Sequence, residues 1–183
     1  MNRSAILRTE RLVLRRWEPD DRAPFAHLNA DPDVCEFLPG TLTREESDAV
    51  CARIETHWDE RGFGLWVIEV PGITRFAGFV GLAVPRFVAP FTPCVEVGWR
   101  LMRECWGHGY ATEGALAALD FGFDALGLDE IVSFTVPANV RSVRVMERAG
   151  MHFEGEFDHP SLPEGHALRR HVLYRLARPV ATP

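Results

Sequence analysis

The chain of 183 residues contains no lysine and no glutamine, so all 20 of its basic residues are arginines. No catalytic step can use a lysine amine, and a P-loop, which needs its lysine on the phosphates, is excluded. Cysteine is sparse. Cys35, Cys51, Cys94 and Cys105 show no C-x-x-C or Cys/His spacing of the kind that holds a metal. They read as free, mostly buried thiols in a reducing compartment. Positive charge is not in excess either: the formal net charge is −6, which excludes nucleic acid bound through a large basic surface. No apolar run reaches membrane-spanning length. The opening MNRSAILRTERLVLRRW has no apolar stretch before a small-residue cleavage site. The expectation is a cytoplasmic protein without membrane contact.

What is present is ordinary for a folded domain: 46% apolar and 25% charged residues, with no repeat, linker or composition break. The length gives one domain, 1–183, with a substantial core. Residues 11–17 alternate, Leu12 and Leu14 against arginines, as in a half-buried strand. Asp20 is placed to cap a helix running to about Ala30. Thr43 and Glu46 form a T-x-x-E capping box for a helix that Gly62 ends. Segments 64–70 and 76–84 read as a hairpin around Pro71-Gly72. Further strands are expected at 95–102, 130–136, 152–158 and 169–176, with helices at 110–126 and 139–149. A hairpin followed by strand, helix, strand, helix and two strands is a mixed α/β domain with one sheet.

The most informative run is 95–123, VEVGWRLMRECWGHGYATEGALAALDFGF. It reads as a strand, a turn punctuated by Gly107 and Gly109, and a helix starting near Tyr110. Glycine lets backbone approach a ligand closely. The first N–H groups of the helix lack intrahelical partners, so with the helix dipole they make a phosphate site. One reading is a dinucleotide fold, with Asp129 and Glu130 about 20 residues on. Against it, Thr112 stands at the third glycine position, and a single βαβ unit surrounds the motif. Another reading is that the glycines are merely structural.

A third reading rests on a resemblance. The run Glu104-Cys-Trp-Gly107-His-Gly109-Tyr-Ala111 resembles the acetyl-CoA pyrophosphate loop of the GNAT N-acetyltransferase superfamily, (Arg/Gln)-x-x-Gly-x-(Gly/Ala). Here Glu104 holds the first position and Arg103 precedes it, a departure that matters little to a site made of main-chain amides. The wording Trp-Gly-x-Gly-Tyr-Ala-Thr-Glu is closer to the RimJ/RimL-like branch, ribosomal-protein N-terminal acetyltransferases and their small-amine relatives. Thr9–Arg15 resembles that branch's first strand, Glu96-Val-Gly-Trp99 its fourth, and Asn139-x-x-Ser142 through Gly150 its second CoA-side helix.

The resemblance implies a single GNAT-like α/β domain. Its central, mostly antiparallel sheet would be splayed between the fourth and fifth strands and flanked by helices. Acetyl-CoA would be the co-substrate, with pantetheine in the splayed cleft. Backbone of Trp99, Leu101 and Met102 would pair with it, and an N–H near Leu101 would face the thioester oxygen. Arg103, Gly107, His108, Gly109, Tyr110, Ala111 and Thr112 would surround the pyrophosphate. Asn139 would bond the pantetheine, cap its helix, or do both. Many relatives protonate the leaving thiolate with a tyrosine that aligns here with Met146. Ser142, one turn earlier on the same side, is the substitute donor, or a small residue packed on the cofactor.

Transfer would be direct, to a neutral primary amine. Glu96 is the first candidate base, and its alternative role is a solvated carboxylate or one paired with Arg100. His166, His171, Glu164 or a water are the others. The acceptor would be a protein N-terminus or a small amine. Segments 32–42, 85–93 and 159–168 are candidate walls, and Trp17, Phe37 and Phe87 candidate lining. A homodimer is left open, and a non-catalytic acyl-CoA-binding module is the alternative from another class.

Overall fold

The computed structural model describes residues 6–179. The reading of the first residues as no secretory leader rests partly on residues 1–5, outside that range. Among the described residues, eight strands form one sheet: β1 (Leu7–Arg8), β2 (Val13–Arg15), β3 (Leu65–Val70), β4 (Thr74–Ala83), β5 (Glu96–Leu101), β6 (Glu130–Thr135), β7 (His152–Asp158) and β8 (Arg170–Ala177). Their spatial order is β1-β2-β3-β4-β5-β6-β8-β7. The expected elements are present, and the short β1, paired with β2, is an addition. The strands expected to be fourth and fifth are therefore β5 and β6.

Helices α1 (Arg22–Ala30), α2 (Arg44–Arg61), α3 (Tyr110–Asp120) and α4 (Val140–Arg148) cover the sheet. Paired residues share a face, so Val67, Phe79 and Arg100 lie on one side and Trp66, Val80 and Trp99 on the other. Phe25 of α1 meets Phe79 edge-on at 6.0 Å, which puts α1 on the first side, with α2 packed on α1. Gly114 of α3 sits so near Val80 that a Cβ would come within 2.9 Å of its methyl, which puts α3 on the second side, where α4 joins it.

The capping box at Thr43 forms as expected: Thr43 accepts from the Glu46 amide, Glu46 from that of Thr43, and Gly62 ends α2. The start of α1 differs from expectation. A 3-10 turn, Pro19–Asp21, precedes it, and the reciprocal cap is Glu18 with Asp21 rather than Asp20. Asp21 is buried because Arg15 needs it: the guanidinium Nη1 and Nη2 each donate to it at 2.8 Å. A buried arginine without a carboxylate is costly, and that demand fixes where the chain turns.

At Gly78, β4 approaches β5 closely. A Cβ on Gly78, whose φ is +133°, would lie 2.2 Å from the Arg100 carbonyl oxygen. Gly78→Ala therefore combines a strained backbone with a backbone clash and is expected to cost on the order of 3 kcal/mol. Urea denaturation checks this, and an unchanged midpoint would show that β4 and β5 have slack the structure does not display.

Candidate active site

Strands β5 and β6 run parallel and share a single register pair, Glu96 with Val132. The Val132 amide donates to the Val95 carbonyl at 2.9 Å. Beyond that the two strands part. The phase of the β4–β5 ladder is set at its other end, where Met102 N–H donates to the Ala77 carbonyl. Antiparallel bonding alternates, so the backbone of Trp99 and Leu101 turns away from β4, toward the gap. The Leu101 carbonyl is taken by the Trp106 indole N–H at 2.9 Å. Its N–H stays open to the gap, while that of Met102 is occupied.

The gap opens into a cleft of about 660 Å³. At one end lies the glycine turn. Gly107 and Gly109 adopt φ of +78° and +82°, and Gly109 caps α3 in the left-handed region without any side-chain bond to the first amides. Those N–H groups are left bare where the dipole is positive. Gly107, Gly109, Tyr110, Ala111 and Thr112 line the cleft, as do Trp99 and Leu101. Met102, Arg103 and His108 do not. Arg103 pairs with Asp33 at the surface, and His108 stacks on Tyr110 at 5.4 Å.

Two sets of arginines here were not singled out from the sequence. Arg11, ahead of β2, donates to the His108 carbonyl at 2.9 Å, lies over the Tyr110 ring and pairs with Glu113 in the first turn of α3. It clamps the turn from 97 residues away in sequence. Arg141, Arg144 and Arg148 recur at helical spacing along α4 and all line the cleft. Arg141 also stacks over Trp106 at 4.5 Å and bonds Glu36. That spacing was the signal available in the sequence.

On α4, Asn139 is the N-cap. Its Oδ1 accepts from the Ser142 amide at 3.2 Å and its Nδ2 donates to Thr135 Oγ1 at 3.1 Å. One amide hydrogen remains for a ligand. The Ser142 hydroxyl has no hydrogen bond among the described residues and lines the cleft, with buried Met146 one turn further on.

Glu96 lines the cleft from β5, on the α1 side of the sheet. The expectation that Arg100 could pair with it is not met, because Arg100 Nη1 donates to Asn29 Oδ1 at 2.6 Å. Glu96 has no hydrogen bond or ion pair among the described residues, and desolvation raises its pKa from 4.5 to about 7. The other candidate bases lie elsewhere. Neither His166 nor Glu164 lines the cleft. The His171 Nδ1 donates to the Arg169 carbonyl at 3.1 Å, and the ring sits among Phe134, Phe157 and His159, where burial lowers its pKa.

Of the candidate walls, segment 32–42 contributes Val34, Phe37 and Leu38. Phe87 and Phe91 instead pack behind Phe134, with Phe157. Trp17 is committed to the core, its indole donating to the Leu65 carbonyl at 2.7 Å.

A family model described as an acetyltransferase (GNAT) domain matches residues 11–152. The chain belongs to the GNAT acetyltransferases. The Bacillus subtilis protein YkkB is 34% identical over 84% of this chain and 88% of its own. An FsC-acetyl coenzyme A-N(2)-transacetylase of Aspergillus fumigatus is 30% identical over 96% of this chain and 81% of its own. The crystal structure of a GNAT-family acetyltransferase from Bacillus anthracis superposes with a TM-score of 0.79 at 25% identity, covering 94% of this chain and 98% of that one. This GNAT acetyltransferase is thus a transferase of the N-acetylating type, and among its described residues no helix is long and apolar enough to cross a membrane.

The raised pKa of Glu96 has a consequence for stability. The native state holds this proton more tightly than the unfolded chain, so Glu96 costs nothing below about pH 4.5, a growing amount from there to about pH 7, and a constant amount above it. The full penalty is at most on the order of 3 kcal/mol. Glu96→Gln is therefore expected to raise the melting temperature at pH 8 and to match the parent near pH 4. A difference independent of pH would contradict the desolvated carboxyl.

Proposed function

We propose that this acetyltransferase moves the acetyl group of acetyl-CoA directly to a neutral primary amine, with Glu96 as general base and Ser142 as proton donor. The observation that carries the reading is the parting of β5 from β6 after one register pair. It leaves the Leu101 N–H open in a cleft that ends on the bare N-terminus of α3 and has Glu96 on its wall. Acetyl-CoA supplies the activated thioester. Its diphosphate fits the amides from Gly109 to Thr112, its charge favoured by the dipole and by Arg144 and Arg148. Its pantetheine arm fits the open edge of β5 as an added strand, with the free Asn139 amide hydrogen reaching it.

The chain's own groups divide the remaining work. The Leu101 N–H meets charge that develops on the carbonyl oxygen, a fixed donor worth a few kcal/mol of barrier, about 3 on precedent for such sites. A carboxylate whose pKa lies near 7 is matched to removing a proton from an ammonium of pKa about 8. The Ser142 hydroxyl can return a proton to the departing thiolate. Because a thiolate of pKa about 8.5 leaves readily, that help is small.

The run Trp106–Glu113 supports placing the chain in the RimJ/RimL-like branch, and the acceptor is a protein N-terminus or a small-molecule amine in the cytoplasm. That the Aspergillus relative is named an N(2)-transacetylase supports a nitrogen acceptor.

Release of free thiol from acetyl-CoA over a panel of amines and N-terminal peptides tests the proposal. At least one acceptor is expected to turn over, with kcat/KM rising with pH through an apparent pKa near 7. Glu96→Gln should lower kcat by about 10²- to 10⁴-fold and remove that limb. Ser142→Ala should cost less than tenfold. A parent-like rate and profile in Glu96→Gln would remove Glu96 from the mechanism, and binding without turnover for every amine would favour a non-catalytic module.

A further inference from the structure

Resting on the reading above, the α1 side of the cleft carries information about the acceptor. Glu96 and Arg100 lie on the same face of β5, paired with Ala83 and Phe79 of β4, and both line the cleft. Four residues of strand put their Cα atoms about 13 Å apart at roughly 3.3 Å per residue. Each charge lacks an opposite. Glu96 is the one carboxylate among the described lining residues, and no arginine reaches it.

Arg100 is more unusual. Its side-chain hydrogen bond runs from Nη1 to the neutral Asn29 Oδ1, at 2.6 Å, and its guanidinium carbon lies 5.5 Å from the centre of the Phe79 ring. Asn29 is itself fully buried and donates to Ser47 Oγ at 2.9 Å, so α1 and α2 together hold the guanidinium in place. No ion pair with a carboxylate forms among the described residues. Arg15 shows what this fold does with a buried arginine that serves only structure: Asp21 and Glu69 both pair with it. Arg100 is half-buried on the cleft wall; a guanidinium partly withdrawn from water without an anion is costly, and desolvation lowers its pKa. A carboxylate accepts two parallel N–H bonds from a guanidinium fork, the strongest partner available to it. Between the two charges the walls are apolar, with Phe25, Val34, Phe37, Leu38 and Phe79.

A positive and a negative group, fixed at two points along one strand and separated by hydrocarbon walls, complement a molecule with an ammonium and an anion at its ends. We infer that the acceptor is a small amino carboxylate, its carboxylate on Arg100 and its amine beside the Leu101 end of the gap, from which a water carries the proton to Glu96. The amine lies toward the gap where the thioester is presented. The carboxylate lies under α1. Transfer forms the amide N–C bond and breaks the thioester C–S bond, with the ammonium proton passing to Glu96 and the thiolate taking a proton as it leaves.

The experiment compares two acceptor series in thiol release: ω-amino carboxylates from glycine to 6-aminohexanoate, and unsubstituted alkylamines of matching length. In the wild-type enzyme the best amino carboxylate is expected to exceed its matched alkylamine at least tenfold in kcat/KM, through a lower KM. The length at the maximum reads the distance from the Arg100 fork to the thioester. Arg100→Met should bring the ratio close to one, and Arg100→Lys, which keeps the charge and loses the fork, should leave an intermediate ratio. Turnover of both series without preference would overturn the amino-carboxylate acceptor and leave the acetyltransferase mechanism standing. So would acetylation of an N-terminal peptide when neither series reacts. No thiol release from any of these acceptors would overturn both.

Discussion

Two parallel strands that bond once and then diverge set the rest of this structure. Had β5 and β6 paired along their full length, the backbone of Trp99 and Leu101 would be spent on the sheet, and the cleft would not exist. Their divergence leaves main-chain donors and acceptors facing a gap inside a domain, where unpaired polar groups are tolerated only when water or a ligand can satisfy them. The sheet survives because β5 is fully paired with β4 on its other side and β6 with β8. The opening is therefore local and rigid, which suits a strand-like ligand arm.

The electrostatics follow from that opening. At one end of the gap, α3 begins with bare amides, and arginines on α4 line the same wall, so negative charge is favoured there. On the α1 side the same cleft holds one carboxylate and one guanidinium, neither with an opposite charge. A domain of net charge −6 has many carboxylates available to neutralise Arg100. That it uses Asn29 instead leaves the guanidinium without an anionic partner among the described residues, as the proposed acceptor requires. A carboxylate at Glu96 with a pKa near 7 likewise costs stability at neutral pH, a cost that the proposed role as base would account for.

Much of the fold was legible because its punctuation is local. The capping box at Thr43 and Glu46, the glycine stop at Gly62 and the Pro71-Gly72 turn each act within a few residues, and each formed. The glycine turn before Tyr110 was legible for the same reason, since positive φ at Gly107 and Gly109 is a property of the residues themselves. What escaped depends on partners far apart in the chain. The Asp20 cap lost to Asp21 because Arg15 needed a buried carboxylate. The clamp of Arg11 on His108 and Glu113 joins residues 97 and 102 positions apart in the chain. The pairing of Glu96 with Arg100 looked natural from their shared strand face, and α1 supplied Asn29 instead. Candidate lining divided the same way: Phe37 faces the cleft, while Trp17 and Phe87 serve packing that only the assembled sheet creates.

The central claim is that the gap and the α3 N-terminus together form one site for a CoA thioester, and calorimetric titration tests it most directly. Acetyl-CoA, pantetheine lacking the phosphates, and NAD are titrated in turn into the purified protein. The account predicts saturable binding of acetyl-CoA, much weaker binding of pantetheine, and none of NAD. Binding of NAD in place of acetyl-CoA, or of neither, would contradict it.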